Sequence, residues 1–591
     1  MYLVMTATDT SQLDLPTVGP TLPPNIDTPD NPRARIEWSV ASAAVAIVIW
    51  GVLVSPNAVV PSWSYRSAFL PLAIAIGIPA VISAVSGRHR IAAYSGLAFI
   101  GLATISTVLS SNPDLSATGR YGVAGGLVFT AALIGAWGIG LGASDRQTTV
   151  AKTIGVVVAV NATIGVVQVL TDPSIPAFQL INGRAAALVG NPVHLAALIT
   201  AGLAMLAFTV QRWTPSWFLA AGALAFSAQS TGTRLTLIVI PLIVLFAALK
   251  LGVKRGLVFA LIVLAATGAG TVVLDDPTTA SSVERLASTA GEANERIETW
   301  KAAVGAITAK PLTGWGPGLF LDATAPEQSQ ELAAATADST LFVDGHNLAV
   351  EYAVTTGLLG VVALGMFIGF SLLKARGPLL AFVLVLLAFH AIQPQSSSTT
   401  PLLFLALGAS LVDGRERAES KGYLRAVMAS VGLLVGGVFL YGDLTFSAAT
   451  ADWQYDDATT AARVFTQWPE PAAQVARVKF FESVAQRTPG AEEEALEWLL
   501  TAALADPADP GGWNELGFAE AALGEFDTAT GHFLRALESD PWSTQALVSL
   551  ADLALIEGDV ALARTWADKA ASVSTSQQVT ELVDRVGAAS S

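Results

Sequence analysis

Apolar runs long enough, or nearly so, to cross about 30 Å of hydrocarbon follow one another through the first three quarters of the chain. They cover Trp38–Val54, Ala68–Val85, Ile91–Leu109, Tyr121–Leu141, Thr153–Leu170, Val193–Val210, Ser216–Ala228, Leu235–Leu251 and Leu257–Leu274. After a long polar stretch come Asn347–Leu373, Leu379–Ile392, Leu402–Val412 and Val427–Leu444. Such a succession leaves one architecture open: an all-α polytopic membrane protein of about thirteen transmembrane helices. A hydrophobic content of 52% against 13% charged residues fits that class and not a soluble one.

Orientation follows from the basic residues, because short loops rich in Lys and Arg stay in the cytoplasm. Every second connection is basic, through Arg33/Arg35, Arg88/Arg90, Arg146/Lys152, Arg212, Lys250/Lys254/Arg255, Lys374/Arg376 and Arg415/Arg417/Lys421/Arg425. The N-terminus is therefore expected inside, with the long loop and the C-terminal tail outside the cytoplasmic membrane. Five regions are expected: a disordered cytoplasmic tail over 1–36, membrane helices over 37–274, an extracytoplasmic loop over 275–346, membrane helices over 347–446 and an extracytoplasmic domain over 447–591. The first region holds six prolines and no basic start before an apolar core, which reads as disorder and not as a signal peptide.

The last region is self-similar at 34 residues: Trp513 aligns with Leu547, Leu516 with Leu550, Gly524 with Gly558, and Ala536 with Ala570. This is the tetratricopeptide pattern, whose stacked helical hairpins offer a groove to a protein partner, here other envelope-assembly proteins. A plain helical spacer is the competing reading. The region also carries the acidity of the chain, since 23 acidic and 8 basic residues follow Ala451 and leave the remainder near neutral. No basic surface suited to nucleic acid is visible. The absence of cysteine excludes disulfides and thiolate chemistry.

Chemistry is expected at the outer face. Arg184 lies in an outer connection, and Arg234 ends Ser230-Thr-Gly-Thr-Arg234 at the start of a helix, where free backbone N–H groups already favour an anion. A guanidinium there adds a bidentate phosphate clamp, although a snorkelling anchor is the bland alternative. Arg296 lies on an amphipathic segment whose apolar side reads Ile297, Trp300, Val304 and Ile307, a helix expected on the membrane surface. A solvated flank beside Glu292 or Glu295 would explain that arginine as well. His346 precedes a membrane helix after Asp344-Gly345 and is expected to titrate near neutrality, with Asn347 beside it. Glu351 is an orienting partner or a buried, hydrogen-bonded carboxylate. No acidic metal pair, nucleophile elbow or P-loop is present in the sequence.

Ser230-Thr-Gly-Thr-Arg234, Arg296-Ile-Glu-Thr-Trp300, the Pro311-Leu-Thr-Gly-Trp-Gly-Pro-Gly-Leu-Phe320 turn, and His346-Asn347 with Gly357-Leu-Leu-Gly360 occur in order over roughly Arg184 to Val412. This arrangement resembles the O-antigen ligase and Wzy polymerase family of membrane glycosyltransferases. Leu235, where the family often has Gly, and Thr355-Thr356, where it often has an acidic residue, depart from the pattern. The resemblance implies transfer or polymerisation of a glycan from an undecaprenyl-diphosphate carrier to a glycan, lipid or protein acceptor hydroxyl. It implies neither metal nor cofactor, with His346 as catalytic base and Arg234, Arg296 and Arg184 binding the diphosphate. Direct attack would invert the anomeric centre. A precursor transporter or flippase, and a non-catalytic scaffold displaying the repeats, are the readings from other classes.

Overall fold

A computed structural model describes residues 32–55, 58–171, 179–181, 183–209, 214–273, 289–336, 341–411 and 422–590. The expected disordered tail falls mostly outside them, and the first helix already begins at Pro32. The described residues contain no strand, only two isolated bridges.

The membrane part is built from α1 (Pro32–Gly51), α2 (Ser64–Ala68), α3 (Leu70–Ala84), α4 (Arg90–Val108), α5 (Pro113–Thr118), α6 (Gly126–Gly142) and α7 (Gln147–Thr171). It continues with α8 (Pro192–Thr209), α9 (Pro215–Gln229), α10 (Thr236–Leu251) and α11 (Val253–Val273). The polar stretch carries α12 (Thr289–Ala309), α13 (Phe320–Thr324) and α14 (Gln330–Ala335). The chain then returns through α15 (Leu348–Leu372), α16 (Pro378–His390), α17 (Thr399–Ala409) and α18 (Gly422–Asp452). Among the described residues, six helices are long and apolar enough to cross a membrane, and five shorter apolar helices accompany them. The expected count of thirteen is therefore not reached by length and composition alone, although several expected spans, such as α10 with Pro241 inside it, are apolar helices shorter than a full crossing.

Lipid supplies no hydrophobic drive between such helices, so close packing has to hold them. Gly77 of α3 lies so near Gly135 of α6 that any Cβ on Gly77 would overlap the Gly135 carbonyl at 1.9 Å. Trp50, Trp137, Phe367 and Phe389 fill the core that these contacts enclose. The connections gather in two sets. At one end Gln147 Nε2 donates to Ala409 O and the Arg376 amide to Ser410 O. At the other, the Val59 amide donates to Ser447 Oγ and Asn112 Nδ2 to Ala505 O, joining membrane helices to the tail.

The tail is a stack of helices: α19 (Tyr455–Val464), α20 (Pro469–Gln486), α21 (Ala491–Ala505), α22 (Pro510–Leu523), α23 (Phe526–Ser539), α24 (Thr544–Glu557), α25 (Val560–Ala571) and α26 (Gln577–Ala589). The α22–α23 and α24–α25 hairpins repeat at the expected period, with Gly524 and Gly558 both left-handed at equivalent helix ends. Buried Trp513, Leu516, Phe533 and Leu550 join successive hairpins. The helix leading into the tail runs on to Asp452, across the expected boundary at residue 447.

Candidate functional site

The site is assembled where the polar stretch re-enters the membrane. Within α15, Gly357 is non-helical at φ 73° and ψ 176°, which breaks the helix and frees backbone groups. The Gly-Trp-Gly-Pro-Gly turn fills the break: the Trp315 amide donates to Val354 O at 3.0 Å and the Gly316 amide to Thr355 O at 2.9 Å. In return the Leu358 amide donates to Pro311 O at 2.9 Å. A buried backbone group left unpaired is costly, so turn and broken helix stabilise each other. Trp315 is held further by Nε1 donating to Ala306 O and by Lys310, 4.0 Å from its ring.

This splice sets α12 against α15. The face of α12 that packs on α15 is Thr299, Ala302, Ala303 and Ala306, small side chains that allow close approach, with Trp300 and Ile307 of the expected stripe half-buried beside it. Ile297 and Val304 are 49% and 59% exposed. Trp300 is turned inward, and its Nε1 donates to Gly345 O at 3.0 Å. From the other side the Gly345 amide donates to Glu351 Oε2 at 2.9 Å. Gly345 is thus gripped at both backbone groups, immediately before His346. Glu351, buried in the first turn of α15, orients the backbone of the loop and not the imidazole itself.

His346 adopts φ 47°, in the left-handed region that side-chain-bearing residues seldom occupy. Its backbone N–H and its Nδ1 both lie 2.9 Å from Asp344 Oδ1. A carboxylate can only accept, so Nδ1 carries the proton and Nε2 presents its lone pair. Burial lowers the affinity of His346 for a proton, but the hydrogen bond and charge of Asp344 outweigh it, and the pKa is raised despite the opposing Arg296 charge. Phe342 meets the ring edge-on at 5.4 Å. Asn347 caps α15 by accepting from the Ala349 and Val350 amides, while its Nδ2 donates to Ala391 O at 2.7 Å.

Arg296 is half-buried within electrostatic reach of His346, and no ion pair holds it among the described residues. Arg234 is half-buried at the turn before α10. Arg184 is bound to that turn, with Nε donating to Thr231 O at 2.6 Å and Nη2 to Thr233 Oγ1 at 3.2 Å. It braces Arg234. The connection from Arg184 links this turn to the histidine site. Buried Arg66 of α2 donates to Leu188 O and Val189 O. His194, just beyond, lies within electrostatic reach of His390, Asp344, Arg66 and His346. His390 is satisfied internally, by Leu386 O at 3.0 Å and Thr400 Oγ1 at 2.7 Å.

Sequence reasoning missed the roles of Asp344, Trp300 and Arg66. An Asp two residues before the His, with Gly between, was the available signal for Asp344, since such an Asx turn folds back on its own backbone. Nothing local marked the others.

The family model described as O-antigen ligase matches residues 216–365. No curated protein matches the chain. Among solved structures, the crystal structure of the APC/C hetero-tetramer Cut9–Hcn1 is similar at 12% identity and a TM-score of 0.22, covering 77% of this chain and 76% of that one. The crystal structure of yeast Tom70 is similar at 11% identity and a TM-score of 0.24, covering 76% of this chain and 92% of that one. Neither likeness bears on the fold at such scores. The chain is a helical membrane protein with a helical-repeat tail, and its residues 216–365, which hold Arg234, Arg296, His346 and Glu351, match the family model described as O-antigen ligase.

Proposed function

We propose that the protein transfers a glycan from an undecaprenyl-diphosphate carrier to an acceptor hydroxyl on the outer side of the cytoplasmic membrane. The observation that carries the reading is the Asp344–His346 pair, fixed in one tautomer beside Arg296 on the segment matching the O-antigen ligase model. Nε2 of His346 takes the acceptor proton while the acceptor oxygen attacks the anomeric carbon. The bond from that carbon to the diphosphate breaks, and undecaprenyl diphosphate leaves with the electron pair. Attack from the face opposite the leaving group inverts the anomeric centre. Arg296 and Arg234 neutralise charge developing on the diphosphate, and Arg184 acts by holding the Arg234 turn. The repeat tail would bring the acceptor or another envelope-assembly protein.

General-base catalysis contributes about 10²–10⁴-fold, so His346→Gln is expected to lower transfer in membranes by that order with the protein still folded. Full transfer by His346→Gln would end the assignment. Deleting the gene and sizing the lipid-linked glycan that accumulates separates the two activities of the family: single repeat units indicate a polymerase, and long chains indicate a ligase. Accumulation of neither points to the transporter or scaffold readings.

A further inference from the structure

A groove of about 1200 Å³ opens laterally in the membrane part, far from the histidine site. Its long wall is one face of α7, from Thr148 through Lys152 and Gly155 to Val167. Its floor is the end of α8, from Gly202 to Thr209, and its other wall is the stretch of α9 from Ala220 to Leu224. At 1.5 Å per residue the α7 wall runs roughly 29 Å, but α8 and α9 close the groove only over roughly 11–14 Å from their ends, so it is walled on three sides over about one leaflet of a bilayer about 30 Å thick. Apart from Thr163, the lining is apolar except at one end, where Lys152 and Lys250 lie with Thr148 and Thr209.

Both lysines are exposed, and neither makes an ion pair with a described residue. Lys250 is bent over the mouth of the groove, donating to Phe208 O with its ammonium 4.6 Å from the Phe208 ring. A topology anchor would extend away into water, whereas this one leans on the groove wall. The lysine end is the end where Lys374, Arg376 and the α6–α7 connection also lie, opposite Arg234 and His346.

We infer that the groove holds an anionic phospholipid of the inner leaflet, its phosphodiester between Lys152 and Lys250 and its acyl chains between α7 and α9. Charge complementarity selects the headgroup, and the depth of the three-walled part selects a lipid of one leaflet. The inference does not rest on glycosyl transfer. Each lysine at a membrane surface favours an anionic lipid about five-fold.

The test uses the full-length protein, incubated in detergent with equal amounts of phosphatidylglycerol, phosphatidylcholine and a polyprenyl phosphate, and quantifies the lipid retained per protein by native mass spectrometry. Retention of phosphatidylglycerol about 25-fold over phosphatidylcholine is expected from two lysines, falling to parity in Lys152→Gln/Lys250→Gln. Gly155→Trp is the second variant: a Cβ there meets only the Met205 methyl at 3.9 Å, so the ring fills the groove and is expected to displace both lipids. Equal retention of the two lipids by the unaltered protein overturns the inference. So does an unchanged preference in the lysine double variant, or retention of a polyprenyl lipid in place of phosphatidylglycerol.

Discussion

At the scale of single residues, the candidate base is defined by what holds it. Asp344 fixes the tautomer and raises the pKa of His346, so the neutral imidazole needed for proton abstraction is lost as pH falls through that raised value. Asp344→Asn is expected to move the acid limb of the pH–rate profile to lower pH while slowing transfer about ten-fold or more, because a less basic imidazole is a poorer acceptor. A profile unmoved by the substitution would separate Asp344 from the chemistry. Glu351 is a positioning residue, acting through the Gly345 amide. Glu351→Gln keeps an acceptor there and should retain transfer, whereas Glu351→Ala strands a buried N–H at a cost of about 1–3 kcal/mol and should lose it. Equal activity of the two variants would contradict that role.

At the scale of elements, the broken helix α15 and the Gly-Trp-Gly-Pro-Gly turn form one unit. A Cβ on Gly357 would lie 2.4 Å from Leu312 O, and one on Gly314 2.5 Å from the Gly357 nitrogen. Both residues also have positive φ, at 73° and 70°. Ala in that conformation costs about 1–2 kcal/mol before any overlap is counted. Gly357→Ala is therefore expected to undock the loop, read as faster proteolysis within residues 289–336 and a lowered thermal midpoint in detergent. Unchanged proteolysis would show that the splice does not hold the loop.

At the scale of the whole molecule, the tail is seated on the membrane part and on the loop together. Buried Arg120 binds Asp322 of the loop at 2.5 Å and Asp506 of the tail at once. Trp542 Nε1 donates to Gln328 O, and Trp468 Nε1 to Gly119 O. Arg120→Ala leaves two buried carboxylates without their cation, a loss of about 3–5 kcal/mol, and the tail should become releasable by mild protease. Retention of a protease-resistant tail would refute the latch. Nearby, Glu470 Oε2 is buried and has no hydrogen-bond partner among the described residues, though the residue as a whole is half-buried. Burial pushes its pKa up to about 7, against the opposing pull of Arg120. The folded state then holds a proton that the unfolded chain releases from about pH 4.5, so stability falls as pH rises from there to about 7. Glu470→Gln should flatten that slope, measured as thermal midpoints across the range.

Helical class, membrane residence and the repeat period of the tail were legible in the sequence because each is written locally, as hydropathy or as self-similarity at a fixed spacing. So were the positions of Arg234, Arg296 and His346, each set off by polar motifs in an apolar chain. Roles were less legible than positions. Arg184 reads from the sequence as a phosphate ligand, and only the structure shows that its guanidinium also holds Thr231 and Thr233. Glu351 sits awkwardly for a partner of His346, until Gly345 is seen between them. The Arg120 latch joins residues 202 and 386 positions apart, a separation that no periodicity encodes. Propensity and hydropathy are properties of short windows, whereas the hydrogen bonds that fix this site connect segments brought together only when the helices pack.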